Sequence, residues 1–295
     1  MKISRYIYHF LAIAVIIVWG STFVSTKVLI NQGMHPDEIF FYRFIIAYIG
    51  IWFCGRQRLW AENITDEILM AVAGIMGGSL YFVGENRALE IAQASDVSFI
   101  VSTTPLLTAW GAFLFFRKKQ NYLFYISSLL ALAGVAMIVY NGSYSMDINP
   151  VGYALALIAA VGWAVYSIAV KKVEDHYSNI FITRKIFFYG IITILPLLWI
   201  NRHEMLSPTS MIENTAIVGN VLFLGVLASL ICFILWNIVL RHLGVVASTN
   251  YLFLNPVVTL IASFIFLDES ITAMSIIGSV AVLAGVIIAT KNSSD

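Results

Sequence analysis

The chain has 295 residues, of which 60% are hydrophobic and 11% are charged, with a mean hydropathy of +0.88 and a formal net charge of +1. Soluble proteins average about 45–50% apolar and about 25% charged residues, so this composition predicts a protein of the lipid bilayer. The near-neutral charge gives no reason to expect nucleic acid as a partner. Cys54 and Cys232 both fall in apolar segments, so neither a disulfide scaffold nor a metal site is indicated.

The first half of the chain contains five apolar segments near the length that a membrane-crossing helix needs, about 20 residues at about 1.5 Å each. They lie near residues 8–30, 38–55, 68–90, 96–116 and 122–141. Lys2 and Arg5 precede the first segment, as in a signal peptide, but no small-residue cleavage pattern follows, so we expect this segment to be retained. The second segment is the weakest because Arg43 interrupts it.

The second half contains five further segments of the same kind, connected by short turns. They lie near residues 150–170, 180–200, 215–239, 246–267 and 271–290. The sequence therefore predicts an all-α membrane protein with ten transmembrane helices.

The two halves share residues at a constant spacing. An offset of 151 positions relates Pro105 to Pro256, Asn86 to Asn237, Asn141 to Asn292 and 132–135 to 283–286, and an offset of 144 relates Trp19 to Trp163 and Lys27 to Lys171. A repeat of five helices enters the membrane from opposite sides in its two copies, which is typical of inverted-repeat transporters. We therefore predict two inverted five-helix repeats, over residues 8–141 and 150–291.

Basic residues fall mainly on one side of this predicted topology. With the N-terminus in the cytoplasm, the inner side receives most of them, including Arg56, Arg117, Lys118, Lys119, Lys171, Lys172, Arg241 and Lys291. The positive-inside rule then predicts a multi-pass protein of the plasma or inner membrane, with both termini cytoplasmic and the loop over 142–149 outside.

Several short motifs occur in a fixed order along the chain. They are Trp19-Gly20-Ser21-Thr22, Arg43, Glu85-Asn86-Arg87-Ala88-Leu89 with Ala94-Ser95, Pro105-Leu106-Leu107, Gly162-Trp163, Trp236-Asn237, Asn255-Pro256-Val257 and Asp268-Glu269. In this order the chain resembles the EamA-type permeases of the drug/metabolite transporter superfamily. The resemblance covers nearly the whole chain and implies two five-helix repeats that transport small organic solutes. The first half departs from the pattern where Arg117-Lys118-Lys119 replaces the acidic residue that usually closes the fourth helix.

Two opposite charges are predicted at matching depths inside the membrane. A charge at mid-bilayer costs about 2.5–3.5 kcal/mol, so such residues face a bundle interior or a wet cavity. We expect Arg43 and Glu85 to share a salt bridge or hydrogen-bond network, with Lys27 and Asn86 as additions. The pair either takes part in substrate binding or only holds the second and third predicted helices together. Arg87 is expected to extend to the outer interface.

Aromatic and proline residues give the remaining candidates. Trp19, Trp163, Tyr166 and Trp236, together with Asn237, are predicted to line a substrate cavity, because aromatic rings hold organic solutes and their polar edges bind groups on them; each taken alone is equally typical of packing. Pro105 and Pro256 are predicted in mid-helix, where proline kinks a helix. These two prolines either act as hinges or only set the curvature of their helices.

Enzyme motifs are missing from the sequence. The five histidines lie at segment ends or in loops, and no phosphate-binding glycine loop occurs, so we predict no catalytic residues, metal or cofactor. The prediction is a secondary transporter or facilitator of a small organic metabolite, most consistent with export, working by alternating access between the repeats. Proton coupling, substrate and oligomeric state stay open. The alternative is a membrane receptor or assembly subunit without transport.

Overall fold

A computed structural model describes residues 5–54, 58–140, 149–202, 204–266 and 271–293. Within these ranges the regular secondary structure is entirely helical. Arg56, the loop over 141–148 and the Asp268-Glu269 pair lie outside the described residues.

Five membrane-crossing elements make up the first half. They are α1 (Arg5–Asn31), α2 (Pro36–Trp52), α3 (Ile64–Ile91), α4 in two segments (Ala94–Val101 and Thr104–Phe116) and α5 (Tyr122–Tyr140). The His35 side chain accepts from the Asp37 backbone N–H and begins α2 in a capping box with Glu38. Arg43 therefore interrupts the apolar run of the second segment but not its helix.

The second half repeats this arrangement. It comprises α6 (Pro150–Val173), α7 (Asn179–Ile200), a six-residue helix (Pro208–Glu213), α8 (Thr215–Leu243), α9 over Val245–Phe266 and α10 (Ala273–Asn292). The Asn149 side chain caps α6 and Pro150 stands in its first turn, where a missing N–H costs nothing. Gly244, with a φ of 86°, makes the one-residue turn between α8 and α9.

Eight of the described helices are long and apolar enough to cross a membrane. The other two are α2, which is 17 residues long, and α5, which is 19 residues long. Large apolar side chains such as Ile126, Leu129, Val280 and Ile287 stand exposed on the outer helices, as expected where lipid replaces water. The chain is an all-α, multi-pass membrane protein.

The two halves also repeat their backbone irregularities. A π-helical stretch occupies Ile75–Leu80 in α3 and another occupies Phe223–Ile231 in α8. Adding the sequence offset of 151 to residues 75–80 gives residues 226–231, which lie inside the second stretch. The π-helical turns are therefore part of the repeat.

The contact between α5 and α10 follows the same two-fold relation. A Cβ atom on Gly134 would lie 2.6 Å from the Gly278 carbonyl oxygen, and one on Gly285 would lie 2.6 Å from the Ser127 carbonyl oxygen. Residues 127 and 278, and 134 and 285, are each 151 positions apart. The same contact therefore occurs twice, once from each repeat, around an axis that passes between the helices. Close backbone approach at small residues is the usual basis of helix packing in membranes.

The sequence predicted that Pro105 and Pro256 lie in mid-helix, but the structure places each at the start of a helical segment. Pro105 is the second residue of Thr104–Phe116, after a turn at Ser102 and Thr103. Pro256 is the second residue of the α9 segment Asn255–Phe266, after a 3-10 stretch over Asn250–Leu254. Both stand in the first turn of a helical segment, where the missing N–H removes no hydrogen bond. The break in each helix lies on the N-terminal side of its proline.

Candidate functional site

A small closed cavity lies at the centre of the bundle, between the two repeats. Its lining comes from α1, α2, α3, α4, α6 and α9: Trp19, Thr22, Phe23, Arg43, Tyr81, Phe82, Glu85, Val101, Trp163, Leu252 and Asn255. The free volume is about 20 Å³, room for a single water molecule. A metabolite does not fit, so the molecule is closed around this point.

Arg43 brings a positive charge to the cavity. Its Nε donates to the Ser229 hydroxyl on α8 at 3.0 Å, and its guanidinium carbon lies 4.1 Å from the centre of the Phe82 ring. These contacts hold a charge that is only 1% exposed, through a hydrogen bond and a cation–π interaction. The Nη1 nitrogen has no hydrogen-bond partner among the described residues.

Glu85 brings the opposite charge to the same cavity. Its carboxylate lies within electrostatic range of Arg43 and within reach of the Tyr81 hydroxyl, one helical turn earlier on α3. The expectation was a salt bridge or a shared hydrogen-bond network. No ion pair joins Arg43 to Glu85 in the described part of the chain, and the guanidinium instead contacts Ser229 and the Phe82 ring. The two charges thus share a cavity without neutralising each other in one contact.

Three buried polar atoms on lining residues have no partner in the described structure. They are Arg43 Nη1, Trp163 Nε1 and Asn255 Oδ1. A buried polar atom without a hydrogen bond costs about 1–3 kcal/mol, more when it is charged. Two donors and an acceptor on one cavity are what a bound polar solute would satisfy.

Aromatic rings surround the cavity and join the two repeats. Trp19 meets Trp163 edge to face with ring centres 5.0 Å apart, and Tyr81 lies 4.8 Å from Trp163. The Trp19 Nε1 donates to the Ala228 carbonyl oxygen at 2.9 Å, inside the π-helical stretch of α8. Trp19 and Trp163, which the repeat relates to each other, therefore both line the cavity.

Three other predicted residues form a layer beside the cavity rather than its wall. The Tyr166 hydroxyl donates to Asn237 Oδ1 at 2.8 Å, and Asn237 Nδ2 donates to the Thr183 hydroxyl at 2.8 Å. Trp236 packs on Trp19 with ring centres 5.0 Å apart and is fully buried. This layer supports the lining residues from behind.

Lys27 and Asn86 lie away from the cavity. The Lys27 ammonium donates to the Leu89 and Ala92 carbonyl oxygens at the end of α3. Asn86 Nδ2 donates to the Pro36 carbonyl oxygen at 3.0 Å and so ties α3 to the start of α2. Asn86 follows Glu85 directly on a helix, so its side chain points to a different face.

An ion-pair network closes one end of the bundle, and we call it the α2-end network. Arg87 Nη2 lies 2.7 Å from the fully buried Asp37 carboxylate, and Asn201, which directly follows α7, donates to the same carboxylate at 2.8 Å. Arg87 thus lies at this end of the bundle with a side chain that is 34% exposed, and its guanidinium pairs with a buried carboxylate on α2.

A second network, the α7-end network, closes the opposite end. The buried Lys185 ammonium on α7 pairs with Glu67 on α3, and the Tyr189 hydroxyl donates to the same carboxylate. Lys185 Nζ also lies 4.5 Å from the centre of the Trp60 ring. Both networks are formed at once, which agrees with the closed cavity between them.

Sequence reasoning missed Tyr81, Phe82, Ser229 and Thr183. The repeat offers a signal for one of them, because the offset that relates Asn86 to Asn237 also relates Phe82 to Phe233. Phe233 lies 5.7 Å from both Trp19 and Trp163, measured between ring centres. Ser229 carries no such signal, since its counterpart at this offset is Gly78.

Comparison with known proteins agrees with this architecture. A model of the EamA-like transporter family matches residues 6–140 and again 150–291. A probable terminal-alkyne amino-acid exporter of Streptantibioticus cattleyicolor is 24% identical over 99% of this chain and 96% of its own length. A probable amino-acid metabolite efflux pump of Salmonella typhimurium is 26% identical over 95% of this chain and 93% of its own length.

A solved crystal structure has the same fold. It superposes with a TM-score of 0.74 at 18% identity and covers 98% of this chain and 96% of its own. Two matches to one family model together span nearly all of the ten-helix bundle, and the cavity with its opposite charges lies between them. The chain therefore belongs to the EamA-like transporter family.

Proposed function

We propose that this transporter carries a small amino-acid-like metabolite through the cavity between Arg43 and Glu85. The observation that supports this most directly is the pair of opposite buried charges on one cavity, whose lining also carries hydrogen-bonding atoms without partners. A zwitterion presents a carboxylate and an ammonium group a few ångströms apart. The names of the amino-acid exporter and efflux-pump relatives point to the same class of substrate.

Each end of such a substrate has complementary groups on the lining. The carboxylate would accept from Arg43 Nη1 and Trp163 Nε1, the two donors without partners. The ammonium would donate to Glu85 and to Asn255 Oδ1. The Trp19 and Tyr81 rings would then pack on the apolar part of the metabolite.

Transport by alternating access would open one terminal network at a time. Breaking the α7-end network would expose the cavity to the face at which α7 begins, and breaking the α2-end network would expose it to the other. The breaks before Pro105 and Pro256 are the proposed hinges. The relatives' names support export, and the basic residues at the ends of α4 and α6 support cytoplasmic termini.

Glu85 could also couple transport to protons. It is a carboxylate in a closed cavity, so a proton can replace the substrate ammonium as its partner when the cavity empties. Reconstituted vesicles with an imposed pH gradient test this, because a coupled carrier accumulates substrate against its gradient and a facilitator does not.

Substrate analogues test the binding mode. Thermal-shift measurements with purified protein should find amino acids that raise the melting temperature. The amide of a stabilising amino acid lacks the carboxylate for Arg43, and its N-acetyl form lacks the ammonium for Glu85. Both analogues should lose the stabilisation. If both stabilise as well as the parent amino acid, the zwitterion assignment is wrong.

A further inference from the structure

An apolar groove runs along the lipid-facing side of the molecule, between α4 and α6 and away from the central cavity. Its volume is about 240 Å³. Its walls include Trp110, Leu114 and Phe115 from α4 and Val161, Val165 and Ile168 from α6. Gly111 opens the groove, because a Cβ atom there would already lie 3.3 Å from the Ile168 side chain.

One end of the groove carries positive charge. The exposed Lys172 places its ammonium 4.9 Å from the centre of the Phe115 ring. Arg117 and Lys118 follow the end of α4 directly and are also exposed. None of these three has an ion-pair partner in the described ranges, whereas the neighbouring Lys171 is paired with Glu174.

We propose that this groove binds one anionic phospholipid, with an acyl chain along Trp110 and Val165 and its phosphate at Lys172. Charge complementarity selects this occupant, because an apolar slot that ends in the unpaired ammonium of Lys172 matches a lipid with net negative charge. A zwitterionic lipid would bring its own cation to the same place. In a two-fold dimer formed across this groove, Lys172 would face the groove of the second copy. The groove residues include no carboxylate that could pair with it.

Fluorescence quenching in bilayers tests the proposal. The full chain is reconstituted in phosphatidylcholine vesicles that contain increasing amounts of brominated phosphatidylglycerol or brominated phosphatidylcholine. Trp110 is 64% exposed. Its own fluorescence is obtained by subtracting the fluorescence of the Trp110→Phe variant from that of the native protein. We expect half-maximal quenching at about five-fold less brominated phosphatidylglycerol, the preference that one lysine gives.

Lys172→Gln should remove this preference and leave quenching by brominated phosphatidylcholine unchanged. Arg202→Gln is the matched control, because Arg202 lies 4.7 Å from the Trp199 ring at the opposite end of the bundle, outside the groove. It should leave the preference at Trp110 intact.

Three results would overturn the proposal. Equal quenching by the two lipids would mean ordinary lipid contact, and no quenching by either would mean that protein covers the groove. A preference that survives Lys172→Gln would also contradict it. Native mass spectrometry compares the binding of the two lipids to the native protein and to Lys172→Gln, and it does not need the Trp110→Phe variant. None of these readouts depends on the proposed substrate.

Discussion

Arg43 determines what the central cavity can bind, because a guanidinium buried within the bilayer must be held by other groups. Ser229 and the Phe82 ring hold one side of it, and Nη1 of this cavity-lining residue has no protein partner. Trp163 Nε1 and Asn255 Oδ1 are in the same condition. The site is thus defined by unused hydrogen-bonding groups as much as by charge.

Replacing Trp163 with Phe tests the role of one of these groups. An aromatic side chain is kept, although a smaller one, and the unpartnered indole N–H is lost. A hydrogen bond to a charged group contributes about 1.5–3 kcal/mol, so we expect substrate affinity to fall about ten-fold or more. The melting temperature without substrate should fall only by the cost of replacing a buried indole with a smaller ring, because the lost donor had no protein partner. Isothermal titration and thermal unfolding measure the two effects.

Trp236→Phe is the control for this change. Trp236 Nε1 is also buried and unpartnered, but Trp236 does not line the cavity. It should leave affinity within about two-fold of native, less than one ordinary hydrogen bond. Equal losses in both variants would mean that general tryptophan packing, and not the cavity, controls binding.

Sequence reasoning could place some of these residues but not all. Arg43 and Glu85 stand out because charges are costly in a bilayer, and Trp19 and Trp163 because the repeat relates them. Asn237 shares the repeat signal, and Tyr166 and Trp236 are aromatic like Trp19 and Trp163, yet all three lie one layer behind the lining. The difference depends on how each helix is rotated against helices of the other repeat, which one helix's sequence does not specify.

Helix packing in this molecule depends on a few close backbone contacts. The α5–α10 crossing occurs with no side chain between Gly134 and the Gly278 carbonyl oxygen. Gly74 on α3 is equally close to α7, since a Cβ atom there would lie 2.9 Å from the Ile186 carbonyl oxygen. Small residues at such positions let the backbones approach.

Gly134→Ala should therefore destabilise the protein. The added methyl would overlap the Gly278 carbonyl and force α5 and α10 apart, at a cost of about 1–3 kcal/mol. Thermal unfolding in detergent measures this as a lower melting temperature. Gly219→Ala on α8 is the matched control, because no atom outside the adjoining backbone of its own helix lies within 4 Å of the added carbon. A change of the same size in both variants would contradict the packing account.

The repeat itself was evident from sequence, and the helix breaks were not. The offset of 151 predicted which elements correspond, whereas the turn at Ser102-Thr103 and the 3-10 stretch over Asn250–Leu254 lie inside apolar segments of membrane-crossing length. Proline marks each break only indirectly, since it tolerates a first turn as readily as it kinks a helix. The π-helical stretches could not be predicted from the sequence either, because they differ from an α-helix in their hydrogen-bond geometry and not in their residue types.

The whole molecule is closed at both ends by charged networks that join different helices. Glu67 pairs with Lys185 between α3 and α7, and Asp37 pairs with Arg87 between α2 and α3, with Asn201, which directly follows α7, attached. Alternating access requires these networks to form and break in turn. Cys232, which is buried close to Arg43, provides a native reporter of opening.

Glu67→Gln should weaken the α7-end network and open the cavity more often. In a Cys54→Ser background, Cys232 should then react faster with a water-soluble thiol reagent added from the face at which α7 begins. Asp37→Asn should give the same acceleration from the opposite face. Faster reaction from both faces in either variant would indicate general loosening, and unchanged rates in both would mean that the networks do not gate the cavity.

Counterflow of a labelled amino acid in proteoliposomes, with Arg43→Gln, Glu85→Gln and the double variant, tests the central claim most directly. Each single change leaves an unbalanced buried charge, which costs about 3–5 kcal/mol when the pair is structural; the double change removes that cost. We expect the double variant to melt near the native temperature and to show no counterflow, because its neutral cavity no longer matches a zwitterion. A stable double variant that transports at the native rate would show that the two charges only hold helices together.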